Sequence, residues 1–429
     1  MYRLLILFSI VLLSWGCNST YKGVPMQYYT LLDSAMAKAG DNSSELLKAL
    51  EETPVPQKEG MAFLISYMPE RDLRSLTADF LLENTEYAYL ARDKYPWCAA
   101  LPDSLFFNEV LPYANITETR DPWRKDFYER FSKYVNDKDN IVEAIFAIAD
   151  TIKDEVQVEY NTKRSKVDSS PREAMAEHMA TCTGLSILLT DAFRSVGIPS
   201  RLAGTPMWTN FRGNHTWSEV WVDEQRQFIE YYPDSLNKSW FLADAGKADP
   251  KNPMHWIYAV SYKPTGQYYY AGVSTMHLIE QLDLNLFPEA IRSRYERRKQ
   301  FRKENSEDPY VWGHNVTQRY MDLYRASLEK SKLGENETIA NFVVFENEES
   351  QGSESRVSCR IDIMQGEAQK DFGYSPRKTD DMNDFLKMRL KKGTSYLVKV
   401  SSPEHQVERE YTIDTGTEDT QEFKLFLNN

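Results

Sequence analysis

The stretch MATCTGLSILLTDAFRSVGIPSR, Met179 to Arg201, permits very few local structures. Leu185, Leu188, Leu189, Ala192, Phe193 and Val196 recur at helical spacing, so a helix starting near Thr181 or Cys182 has one apolar face. Gly197 supplies a left-handed stop. Ile198-Pro199 then forces extended chain, because proline lacks an N–H and holds the preceding residue out of helical angles. Cys182 thus stands in the first helical turn, where unpaired N–H groups and the helix dipole favour an anion. Such positions draw a thiol pKa from ~8.5 toward neutrality. A small, inert core cysteine is the alternative, and it is common for this residue type.

The flanking text changes period twice. From about Tyr28 to Tyr160 apolar residues recur at helical spacing, as in SELLKALEE, LTADFLLENTEYAYLARDKY, FYERFSKYV and NIVEAIFAIADTIKDE, with proline-bearing breaks at Pro54–Pro56 and around LPDSLFFNEVLPY. From about Asn161 to Ala259 helix and strand signals mix. Tyr-rich GQYYYAGVS and the charged helical stretch FPEAIRSRYERRKQFRKEN follow. The last hundred residues alternate in short runs (TIANFVVFE, SRVSCRIDIM, TSYLVKVSS, EREYTIDT, QEFKLFLN) between polar turns, as a small β-sandwich requires. The expected class is α+β. The expected division is a leader at 1–17, a helical region at 18–140, a mixed core with an antiparallel sheet at 141–260, an extension packed on it at 261–333, and a β-sandwich-like domain at 334–429.

Length and charge narrow the function classes. A chain of 429 residues can bury a large core, and nine Trp with 26 Tyr argue for folded, aromatic-rich domains. A formal charge of −13 with no Lys/Arg stripe disfavours nucleic acid as a partner. The opening MYRLLILFSIVLLSWGC has an apolar run too short to cross a bilayer but suited to a secretory signal. Cys17 directly after Gly16 resembles a bacterial lipoprotein cleavage site, so the expected location is the cell envelope, with the mature chain anchored by lipidated Cys17. Export then leaves Cys98, Cys182 and Cys359, an odd number without metal-ligand spacing, so at least one thiol stays free.

A second feature is GNHTWSEVWVDEQRQFIEYYPDS, Gly213 to Ser235. His215, Trp217, Glu219 and Trp221 alternate with Thr216, Ser218, Val220 and Val222, and a polar turn leads into a second strand at Gln227 to Tyr232. Glu230 lies on that strand, and Asp234 follows Pro233. Antiparallel pairing sets an acid beside the imidazole. A thiol at a helix mouth, a base on one strand and an acid on the next are the parts of nucleophilic catalysis.

In this order, TCTGLSILLTDAFRSVGIPSR, NHTWSEVWV and FIEYYPD resemble the transglutaminase-like superfamily, of papain-type Cys-His-acid fold, and specifically its exported bacterial branch. The shared signature is the Cys that opens a helix, the R-x-x-G-I-P-x-R exit from Arg194 to Arg201, and the H-x-W-x-E-V strand from His215 to Val220. The resemblance implies Cys182 as nucleophile and His215 as general base. The family's usual Asp before Pro is here Tyr232. The acid is therefore Glu230, fifteen residues from His215, or alternatively Asp234. It further implies an oxyanion hole built from the Cys182 N–H and a second donor, for which Trp208, Asn210, Asn214 and Trp217 are the nearby candidates for oxyanion or substrate contact.

The expected activity is attack on an amide or peptide bond through a thioester, ending in hydrolysis or acyl transfer. The substrate is then a protein, peptide or glycopeptide, and the C-terminal domain is available for a glycan or protein ligand. No cofactor or metal is expected, since His178, His255, His277, His314 and His405 lack a ligand spacing. The alternative is a non-catalytic envelope binding or scaffold lipoprotein on the same fold.

Overall fold

The computed structural model describes residues 21–271, except 212 and 234, residues 289, 292, 293 and 296, and residues 311–428, except 331–332, 367, 381–383 and 403–406. Cys17, Asp234 and most of FPEAIRSRYERRKQFRKEN lie outside the described residues. The chain divides into two compact units, Met1–Arg325 and Ala326–Asn429.

The first unit begins with helices α1 (Tyr29–Ala39), α2 (Ser43–Glu52), α3 (Lys58–Tyr67), α4 (Glu70–Leu73), α5 (Ala78–Lys94), α6 (Pro96–Ala99), α7 (Asp103–Glu109), α8 (Trp123–Val135) and α9 (Ile141–Val156). Helix α7 falls within LPDSLFFNEVLPY, which the sequence presents as a break: Pro102 precedes it, where a missing N–H costs nothing, and Pro112 lies beyond its end. Asn140 caps α9 by accepting from the Glu143 N–H at 3.0 Å, and Thr77 caps α5 by accepting from the Phe80 N–H at 3.3 Å. Leu81, Phe106, Phe127, Phe131, Ile145 and Ile148 close these helices around one apolar core.

Strands β1 (Glu159–Tyr160) and β2 (Met179–Ala180) form a short parallel pair around α10 (Pro171–Glu177). Helix α11 (Cys182–Ser195) follows. Then come β3 (Ser200–Thr205), β4 (His215–Val222), β5 (Gln225–Ile229), α12 (Leu242–Ala245), β6 (Tyr258–Ser261), β7 (Trp312–Asn315) and α13 (Thr317–Lys330). The five strands make one antiparallel sheet in the order β5-β4-β3-β6-β7. Helix α11 packs on β4 and β3 with one side and on α8 and α9 with the other.

That sandwiching corrects one expectation. The apolar spacing predicts a helix with a single buried face, yet every residue of α11 from Thr183 to Ser195 is buried. The polar positions survive burial because each finds a partner. Thr183 shares a hydrogen bond with Thr216 at 3.1 Å, Thr190 with Ser218 at 2.9 Å, and Ser186 donates to the Thr216 carbonyl at 3.0 Å.

The R-x-x-G-I-P-x-R exit has a structural reason at each end. Arg194 is fully buried, and its guanidinium donates to the carbonyls of Glu109, Ser200 and Ala114, each at 3.1 Å. It ties the helix end to the next strand and to the α7 turn. Gly197 adopts φ +73, and a Cβ there would come within 2.7 Å of the Cys98 Cβ. Gly197→Ala is therefore expected to lose about 2–4 kcal/mol, from left-handed strain plus overpacking. All nine tryptophans lie at or before Trp312, so tryptophan fluorescence in urea reads the first unit alone. A loss below about 1 kcal/mol would contradict the packing argument.

The second unit is strand-rich, as expected. Sheets β10-β9-β12-β13 and β11-β8-β14 comprise β8 (Glu337–Phe345), β9 (Arg360–Gln365), β10 (Ala368–Tyr374), β11 (Leu386–Lys391), β12 (Ser395–Ser402), β13 (Val407–Asp414) and β14 (Thr420–Phe426). Phe342 and Val344 from one sheet meet Ile361, Val398 and Val400 from the other in a single core. That core makes the arrangement sandwich-like.

Candidate active site

Thr181 is the N-cap of α11: its hydroxyl accepts from the Gly184 N–H at 3.1 Å and donates to the Val167 carbonyl at 2.6 Å. The first helical residue is then Cys182, partly exposed, with its thiol against β4. His215, the Thr216 backbone and the Thr183 side chain lie near enough to the sulfur to lower its pKa. The three residues are brought together by one strand and one helix end. The elements that position them are those the sequence predicts.

His215 opens β4, and its Nε2 donates to Glu230 Oε1 at 2.6 Å. That bond leaves Nδ1 for the sulfur. Strand pairing explains the distance: Ser218 is opposite Ile229, so Glu230, one residue beyond β5, comes level with Trp217 on the His215 face. The second oxygen of Glu230 accepts from the Ser239 hydroxyl. Both carboxylate oxygens are thereby occupied, which holds the acid and the imidazole in one orientation. Tyr232, at the position where the family carries Asp, is half-exposed and turned elsewhere. Its hydroxyl accepts from the Tyr160 N–H at 3.1 Å.

The electrostatics follow from this packing. Burial works against charge on both Cys182 and His215. For Cys182 the hydrogen bond and charge of His215, with the Thr216 and Thr183 contacts, outweigh burial and bring the thiol below its ordinary value. For His215 burial is outweighed by the hydrogen bonds it donates toward Cys182 and Glu230 and by their charges, and its pKa rises to about 9. Each charge favours the other, which biases the pair toward thiolate and imidazolium. The remaining cysteines behave oppositely. Burial raises Cys98 to about 12 and Cys359 to about 11.

The candidate oxyanion and substrate contacts separate into two groups. Trp217 is fully buried: its Nε1 donates to the Tyr320 hydroxyl, and its ring stacks on Phe241 at 4.2 Å. It supports the site from behind, with no surface of its own exposed. Trp208 is buried too, its ring near-parallel to Trp217 at 6.2 Å and to Phe241 at 6.0 Å. The amide of Asn210 donates to Asp244 at 3.2 Å. Asn214, next to His215, is exposed.

Sequence reasoning missed several residues. Ser239 steadies Glu230 from the loop after β5 and carries no motif. Trp240, half-exposed, lies 4.9 Å from the His215 ring and forms a wall beside it. Behind the triad stands a buried ion network. Glu219 receives Arg201 at 2.9 Å, Tyr320 at 2.7 Å, and Arg319. Arg226 pairs with Glu109 nearby. Here the Glu of H-x-W-x-E-V meets the last Arg of R-x-x-G-I-P-x-R: β3 and β4 pair Arg201 directly with Glu219. Strand register was the available signal for that pair, whereas Arg319 and Tyr320 arrive from α13, a hundred residues on.

Comparison with known proteins agrees with this architecture. Residues 129–245 match the sequence profile described as the transglutaminase-like superfamily core. No curated protein matches the chain significantly in sequence. Among solved structures, one similar chain is a Cytophaga hutchinsonii protein described as a candidate cysteine protease. It is 18% identical with a TM-score of 0.26, over 32% of this chain and 45% of that one. The chain thus spans less than half of that protein. A helix with Cys182 in its first turn, laid on an antiparallel sheet that carries His215, sits inside the matched segment, and this chain carries a domain of the transglutaminase-like superfamily at residues 129–245.

Proposed function

We propose that the protein is a cysteine enzyme that attacks an amide or peptide carbonyl and passes through a thioester. The observation that carries this reading is the convergence of Cys182, His215 and Glu230, far apart in sequence, into one hydrogen-bonded chain with a 2.6 Å link between base and acid.

The thiolate sulfur of Cys182 bonds to the carbonyl carbon, and the π pair moves onto oxygen. The Cys182 N–H, free at the first turn of α11, is one donor to that oxyanion. When the intermediate collapses, the C–N bond breaks and the amine leaves with the proton held by His215. Glu230 keeps the imidazole in the required tautomer. Water, or a second amine, then attacks the thioester carbon and regenerates the thiolate. The first resolution makes the enzyme a protease, amidase or deamidase, and the second a cross-linking transferase. We further propose an envelope location, with Cys17 lipidated and a protein, peptide or glycopeptide as substrate.

The test is selective alkylation followed by turnover. At pH 6 iodoacetamide should label Cys182 stoichiometrically while Cys98 and Cys359, with raised thiol pKa values, stay unmodified. A peptide-library digest run with and without a dansylated primary amine should then yield either free acids or amine adducts, both lost in Cys182→Ala. Equal labelling of all three cysteines would sink the proposal.

A further inference from the structure

The second oxyanion donor has no sequence signal, and the structure offers one that no motif contains. Tyr269 is buried, 1% exposed, in the segment before β7. Its N–H donates to the Val311 carbonyl at 2.7 Å, which fixes its backbone. Two glycines make room for it. A Cβ on Gly313 would come within 3.0 Å of the Tyr269 Cβ, and a Cβ on Gly204 within 2.9 Å of its hydroxyl oxygen. Gly204 is paired with Thr216 across β3 and β4. The phenol therefore ends beside Thr216, the residue whose backbone holds the Cys182 sulfur and whose hydroxyl touches Thr183.

That hydroxyl makes no well-formed hydrogen bond with any described residue; the Thr216 side chain beside it is already engaged with Thr183. Buried donors are normally satisfied, and an orphan needs a reason. Burial, with the nearby Cys182 and Glu219 charges, outweighs the Thr216 contact and raises the Tyr269 pKa, so the group stays protonated and remains a donor. A donor underused in the resting enzyme, and near enough to Cys182 to feel its charge, stabilises charge that develops there without stabilising the ground state.

We propose that the Tyr269 hydroxyl is the second oxyanion donor, hydrogen-bonding with the Cys182 N–H to the oxygen of the tetrahedral intermediate formed on Cys182. This rests on the thioester reading above. In the step concerned, the thiolate sulfur bonds to the carbonyl carbon while the π pair settles on oxygen. Tyr269 and the Cys182 N–H donate to that oxygen. Collapse returns the pair and expels the leaving group.

Two reactions of the same sulfur test it. Acetylation by p-nitrophenyl acetate builds an oxyanion, whereas alkylation by iodoacetamide does not. In Tyr269→Phe the acetylation rate of Cys182, read by intact-mass burst kinetics, should fall about 10²–10³-fold, as for loss of one oxyanion donor. The alkylation rate and its pH profile should stay within about twofold, and Tyr270→Phe should change neither. Because the variant removes an unsatisfied buried polar group, its thermal midpoint should equal or exceed that of the wild type. Unchanged acetylation would overturn the assignment. So would a parallel fall in both rates, which places Tyr269 on the thiolate itself, or a clear loss of stability, which makes the hydroxyl structural. A wild-type protein that alkylates rapidly at pH 6 but never acetylates would instead defeat the thioester reading.

Discussion

His215→Ala is expected to slow Cys182 alkylation at pH 6 by about tenfold or more, the scale on which an activated thiol outpaces an ordinary one. An ordinary thiol of pKa ~8.5 is only ~0.3% thiolate at that pH. In the native site His215 and the Thr216 and Thr183 contacts outweigh burial and hold the thiol below its ordinary value. Removing the imidazole leaves burial in command, so the thiolate fraction falls. A low-pKa thiolate is intrinsically less nucleophilic, with a Brønsted slope of ~0.4–0.5, so the rate falls by less than the thiolate fraction. The pH dependence has a definite sign. His215, raised from 6.5 to about 9, keeps its proton until the pH passes about 9. Amide turnover, which needs that proton for the leaving amine, should decline above pH 9, while alkylation should not. The same shift makes the His215 contribution to stability complete below about pH 6.5 and lost as pH rises through about 9. A His215→Ala protein that alkylates at the wild-type rate at pH 6 would show that the imidazole does not hold the thiolate.

The second large effect concerns stability. Glu219→Gln is expected to cost about 3–5 kcal/mol, because removing one partner of a buried ion pair leaves the others uncompensated. Glu219 is fully buried and receives Arg201, Arg319 and Tyr320. Burial would raise its pKa, but the charges of Arg201 and Arg319, the Tyr320 hydrogen bond and the charge of Arg226 together carry it below the ordinary carboxylate value. Its depressed pKa makes this stabilisation complete above the unfolded value, near 4.5, and lost as pH falls through the folded one. Urea unfolding followed by tryptophan fluorescence should show the midpoint falling by roughly 1–5 M at pH 7, using a slope of about 1–3 kcal/mol per M. The gap from wild type should close only in strong acid. A midpoint shift under about 0.3 M would mean that the network contributes little.

Legibility tracked how local each constraint is. Cys182 at a helix mouth and His215 at a strand start were readable because a cap, a glycine stop and strict alternation act within a few residues. Glu230 followed from strand parity, since side chains two apart share a face. The same parity places Trp217 on the His215 face but cannot say what covers that face, and Phe241 and Tyr320 do. The breadth of burial around α11 was hidden as well, because its threonines and serines read as solvent positions until Thr216 and Ser218 come to meet them.

What the amino-acid order determined by itself is therefore the set of elements, the α+β class with a strand-rich end, and the placement of Cys182 at a helix start and His215 at a strand start. These depend on backbone propensities and spacings acting over a single turn or strand. Tertiary structure alone decided that Ser239 steadies the acid, that Arg319 and Tyr320 complete the pocket around Glu219, and that the Tyr269 hydroxyl ends beside Thr216. Each of those contacts joins segments whose meeting depends on how helices and sheet pack together, and side-chain chemistry several strands away leaves no periodic trace in the local sequence.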